Sequence, residues 1–133
     1  MEQKDKELLL RDLCARLPYG TKGLCTEIST HEVYAIEGVC VYYRDVPIVH
    51  LRDQGLINMP IMYVRPYLFP LSSMTEEQSK EYHSLQHATW CEYDGWLNFD
   101  TVDSIEWLNY HHFDYRGLIE KGLAIDATGL NIY

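Results

Sequence analysis

Leu10, Leu13, Cys14 and Leu17 recur at i, i+3, i+4 and i+7, with Arg11, Asp12 and Arg16 between them. That period predicts a helix over roughly residues 4–17, its leucine face turned inward and its charged positions wet. Pro18 cannot continue the helix, and Tyr19-Gly20 reads as a turn. Across residues 23–51 the pattern changes to β-branched and aromatic runs: LCTEI, EVYAI, VCVYY and IVHL. Glu37-Gly38 and Arg44-Asp45-Val46-Pro47 punctuate them, so three or four short strands are expected. Gaps this short leave no room for crossover helices, which makes the strands antiparallel.

Residues 56–73, LINMPIMYVRPYLFPLSS, are strongly apolar but hold Pro60, Pro66 and Pro70. Prolines deny donors to a central strand and exclude a helix interior, so an extended surface segment with one edge strand at 62–65 is expected. Thr75 and Gln78 have capping-box spacing and open a second helix to about residue 87. Asp94-Gly95 reads as a hairpin turn between aromatic flanks at 90–99. Asp103 with Glu106, stapled by Val102 and Trp107, and Asp114, stapled by Phe113 and Leu118, predict two short helices. They meet at a corner over 112–114, and Lys121-Gly122 stops the second. The pattern as a whole is one α+β domain: a small antiparallel sheet, an N-terminal helix and a helical C-terminal third.

Composition agrees with that size and class. The 133 residues are 47% hydrophobic and 23% charged, enough for one self-standing core. Eleven tyrosines against three phenylalanines suit strands, half-buried surfaces and binding faces. Net charge is −9, and it is unevenly spread: residues 1–66 carry 8 basic and 9 acidic groups, residues 67–133 carry 3 and 11. The acidic second half argues against ordinary nucleic-acid binding by counterion release. It suits a solvated surface, attraction of a basic protein, or imitation of DNA towards a DNA-binding protein. Cys14, Cys25, Cys40 and Cys91 form no CxxC pair, the MEQKDKELLL start lacks an apolar leader, and no run is long enough to span a membrane. Reduced thiols in a cytoplasmic protein are the expectation.

Six histidines raise the question of a metal: His31, His50, His83, His87, His111 and His112. His83 and His87 stand one helical turn apart, but Ser84 occupies the place where metalloproteases carry glutamate. A third ligand would have to come from His111, His112, Asp114 or Glu92. Adjacent helical residues diverge by about 100°, so His111 and His112 are not expected to face one substrate together. His112 is expected to pack at a helix end, its charge complementing the dipole. There is no nucleophile elbow, P-loop or dinucleotide fingerprint, and Asp100 and Asp103 read as caps. No metal or cofactor is expected. Aromatics, prolines and an arginine coincide in two segments, around 65–70 and 113–116. These nominate Tyr67, His112, Tyr115 and Arg116 as the centre of a binding surface.

Three stretches, DLCARLPYG at 12–20, RPYLFPLSSMTEE at 65–77 and WLNYHHFDYRGLIEKGLA at 107–124, resemble a family of small proteins of Bacteroidales genomes, prophages and gut phages. The resemblance spans nearly the whole chain; a basic residue is frequent in that family where Phe69 stands here. The family carries no activity or catalytic residues to transfer. What the resemblance implies is a phage or mobile-element setting, an intracellular location and an accessory role. The resulting expectation is a non-catalytic protein that binds another macromolecule, with a protein as its partner. The alternatives are a small metal-dependent or histidine-based hydrolase, and an acidic DNA-mimic decoy.

Overall fold

The computed structural model describes residues 1–28, 33–41, 45–85, 89–90, 97–98 and 101–133. The first helix, α1 (Gln3–Arg16), has the expected extent, but its inward face is set one residue back. Leu9, Asp12, Leu13 and Arg16 are buried, while Cys14 is exposed. The spacing template was right and its phase was wrong, because Asp12 and Arg16 do not stay wet. Arg16 Nε donates to Asp12 Oδ2 at 2.8 Å, and this pairing lets both charges leave water together.

Strands β1 (Lys22–Cys25), β2 (Tyr34–Val41), β3 (Pro47–Arg52) and β4 (Leu56–Pro60) pair in sequence order, all antiparallel. Glu37-Gly38 proves to be a bulge within one long β2 and not a turn between two strands: the register slips between Ile36 and Gly38. A 3₁₀ turn at Ile61–Tyr63 leads into β5 (Val64–Pro70), which pairs antiparallel with β1.

β5 therefore lies inside the sheet, against the expectation of an edge strand or surface segment. Backbone parity explains how Pro66 is tolerated there. Thr26 donates to the Tyr63 carbonyl and Phe69 donates to the His112 carbonyl, each at 2.8 Å, so odd-numbered residues turn their polar groups to the β1 edge. Pro66 turns its missing donor to the opposite edge, where pairing begins only at Tyr67.

Helix α2 (Glu76–Leu85) opens with the predicted capping box. Thr75 N–H donates to Gln78 Oε1 at 2.9 Å, and Gln78 N–H donates to Thr75 Oγ1 at 3.1 Å. β6 (Thr89–Trp90) and β7 (Leu97–Asn98) pair antiparallel as the hairpin reading required; its Asp94-Gly95 turn lies outside the described residues, as do His31, His87, Cys91, Glu92 and Asp100.

Helix α3 (Thr101–Tyr110) begins two residues before Asp103, which stands in its first turn and not at its cap. The second expected C-terminal helix does not form. β8 (Phe113–Asp114) and β9 (Ile125–Asp126) pair parallel with β5, making the sheet mixed and not purely antiparallel. The long passage through α2 and α3 supplies the crossover that parallel pairing needs. Between β8 and β9, Asp114 accepts from the N–H groups of Leu118 and Ile119 at 3.0 and 2.9 Å, so it does cap a turn. Gly117, at φ +72°, prevents helix from reaching back to that cap. Gly122, also at φ +72°, ends the turn where the sequence placed the stop, with Leu123 N–H on the Leu118 carbonyl and Gly122 N–H on that of Ile119.

Neighbouring side chains of β5 serve two cores. Val64 and Leu68 join Leu9, Leu13, Leu51 and Leu118 in the main one. Phe69 packs against the smaller one, Trp107, Leu108 and Phe113, under α2 and α3. Among the described residues, no helix is long and apolar enough to cross a membrane.

Candidate functional site

The two cores leave a seam where β1 ends and β8 takes over its edge of β5. Leu24 lies opposite Arg65, so the next bonded pair along the ladder would be Lys22 with Tyr67. The hydroxyl of Tyr133 stands between them instead. It accepts from Lys22 N–H at 2.9 Å and donates to the Tyr67 carbonyl at 2.8 Å. Lys22 Nζ holds the neighbouring Ile132 carbonyl at 3.0 Å. Burial of this hydroxyl between two strands pushes its pKa up to about 12.

His112 lies face to face with the Tyr133 ring, 3.6 Å between centroids and 10° from parallel. Its backbone occupies the left-handed region, φ +63°, just past α3, a place usually given to glycine. Having left the helix, His112 can share one cleft with His111, which the 100° argument from helix geometry had excluded. Burial, followed by the positive charges of Arg16, His111 and Lys22, lowers the His112 pKa to about 4. The ring is therefore neutral at physiological pH, and the expected dipole-complementing charge is absent. Nδ1 is buried and has no hydrogen-bond partner among the described residues.

The cleft has a volume of about 560 Å³. Tyr19 and Tyr110, which meet edge to face at 86°, line it together with Phe69 and Tyr133, which lean together. Ser73, Gln78 and Thr128 add polar groups, and among the described residues no Asp, Glu, Lys or Arg side chain lines it. A shallower recess of about 360 Å³ adjoins it, sharing Phe69, Gly129 and Tyr133, and among the described residues no charged side chain lines it either. Tyr110 is 64% exposed and Tyr133 40% exposed.

Of the four residues nominated from sequence, only His112 lines this cleft. The Tyr67 side chain is buried, and only its carbonyl reaches the seam. Tyr115 and Arg116 belong to a network that ties α1 to the C-terminal half. Arg116 Nη1 donates to Asp12 Oδ1 at 2.9 Å and to the Tyr115 hydroxyl at 3.1 Å, and that hydroxyl donates to Asn109 Oδ1 at 2.8 Å. Arg16 completes the network with a 2.7 Å bond to the Phe113 carbonyl. Both guanidiniums lie over the Tyr115 ring, at 5.1 and 4.7 Å. Apart from the buried Arg16 Nη1, which has no partner among the described residues, these groups satisfy one another, which is a structural use of the aromatic and arginine signal.

The sequence reading missed Tyr133, Tyr110, Tyr19 and Gln78. The excess of tyrosine was the visible signal, but which tyrosines meet depends on the parallel β8 pairing. His83 is exposed, its Nδ1–H donating to the Ser79 carbonyl at 2.6 Å. Among the described residues no group of three His, Cys, Asp or Glu is placed to hold a metal ion. No protein-family model, curated protein or solved structure matches the chain.

Proposed function

We propose that the chain is a non-catalytic accessory protein of a phage or mobile element, working in the host cytoplasm by binding another protein through the Tyr110–His112–Tyr133 cleft. The observation that carries this is an aromatic, open cleft that no Asp, Glu, Lys or Arg lines among the described residues, on a chain of net charge −9. Interface centres are depleted of charged groups and enriched in tyrosine, because a large ring with a polar tip gains contact area at little entropic cost. The same cleft is poorly equipped for hydrolysis. Ser73 Oγ donates to the Pro70 carbonyl at 2.7 Å and not to a histidine, and an imidazole with a pKa of about 4 is a weak general base.

The experiment is affinity capture from host cells with tagged wild type and a Tyr110→Ala variant, each first shown to have the same melting temperature. A partner retained by wild type and lost by the variant is the expected result. A partner held equally by both, or steady turnover of an ester or peptide substrate that His112→Asn abolishes, would overturn the proposal.

A further inference from the structure

Resting on that binding role, the geometry points to a specific occupant: an uncharged, extended, proline-bearing segment of the partner, with one proline in each of the two recesses that Tyr133 helps to line. Three observations converge on it. First, the site is two adjoining recesses divided by one aromatic ridge, since the 560 Å³ and 360 Å³ clefts share Tyr133 and Phe69. An extended chain spans two such recesses, whereas a single compact ligand would fill one.

Second, the free polar groups of the main cleft lean towards donors. Gln78 spends its Oε1 on the Thr75 N–H, which leaves its amide N–H groups for the cleft. The hydroxyls of Tyr19 and Tyr110 make no hydrogen bond among the described residues, and both are on the lining. A buried N–H without an acceptor at His112 Nδ1 would be costly, so the proton of the neutral ring belongs on Nε2. Donors of this kind suit a polyproline II segment, whose carbonyls are unpaired and whose prolines carry no N–H.

Third, charge selects against the alternatives. Aromatic faces would also attract an ammonium or guanidinium group, but Arg16 and Lys22 disfavour a positive charge at His112 and so disfavour one beside it. Among the described residues neither recess is lined by an Asp, Glu, Lys or Arg side chain, so an acidic side chain entering it would leave water without gaining a counter-charge. A neutral segment meets neither penalty.

The test is selection of a random dodecapeptide library displayed on filamentous phage against the immobilised full chain, with counter-selection on folded Tyr110→Ala. Peptides enriched in proline at two positions and depleted of Lys, Arg, Asp and Glu are expected. Replacing either proline by alanine in the best synthetic peptide should weaken binding about tenfold, or 1.4 kcal/mol. Amide chemical shifts on titrating that peptide should move at Gln78, Tyr110 and His112. Selected peptides that are charged, that carry proline at background frequency, or that ignore Tyr110→Ala would overturn the inference, as would failure to select any peptide. The cellular partner separates this from the broader proposal: if it still requires Tyr110 while no proline peptide binds, the occupant is wrong and the binding cleft stands.

Discussion

Asp12→Asn is the sharpest perturbation of the fold, because one fully buried carboxylate holds two guanidiniums, from Arg16 at 2.8 Å and Arg116 at 2.9 Å. Asparagine keeps the shape and removes the charge. Arg16 is then a wholly buried cation without a counterion, with Nη1 already lacking a partner among the described residues. Breaking one side of a buried ion pair costs about 3–5 kcal/mol. For a chain of 133 residues each kcal/mol lowers the melting temperature by about 3–5 °C, so a loss of roughly 10–25 °C follows. Differential scanning calorimetry at neutral pH measures it, with exposed Arg11→Ala as the control. Adding Arg16→Met to Asp12→Leu should recover much of the loss, since replacing a buried pair by apolar volume is close to neutral. A melting temperature for Asp12→Asn within about 2 °C of wild type, the scale of a surface substitution, would refute the buried-network account.

Leu13→Ala should cost about 2–5 kcal/mol in chemical denaturation while Arg11→Ala costs almost nothing, and equal midpoints would show that α1 docks by another face. For His112, the folded pKa of about 4 lies below the ordinary 6.5, so the unfolded chain takes up the proton first as pH falls. Its contribution is complete above pH 6.5 and is lost on descending to about 4; the full shift is worth ~3 kcal/mol, and about half that after allowing for the ring's partial exposure. His112→Asn, which tolerates the left-handed backbone, should flatten that part of the pH–stability profile, and profiles that stay parallel would contradict the assignment. Tyr133→Phe removes the hydroxyl that bridges Lys22 and Tyr67 and should cost about 1–3 kcal/mol. Amide exchange at Lys22 should then be faster than in wild type; unchanged protection there would deny the bridge a structural role.

The local elements were legible in the sequence wherever a short-range rule governs them. The α1 span, the antiparallel run from β1 to β3, the Thr75–Gln78 box and the Gly122 stop all depend on neighbours within a few residues. Reading failed where a distant partner changed the local arithmetic. Asp12 and Arg16 look wet from their charges, and they are buried because Arg116 and the Phe113 carbonyl lie some hundred residues away. Pro66 looks incompatible with an inner strand, and it is admitted because β9 starts just beyond the donor it lacks. Asp114 looks like a helix cap, yet β8 claims it by pairing with β5. Apart from His112, which the sequence nominated, the candidate site belongs to this second class. Tyr19, Phe69, Tyr110 and Tyr133 carry no shared motif, and only the parallel crossover that seats β8 beside Tyr133 brings their rings together. Side-chain periodicity records which face of an element turns inward; which elements then meet is set by the packing of the whole chain.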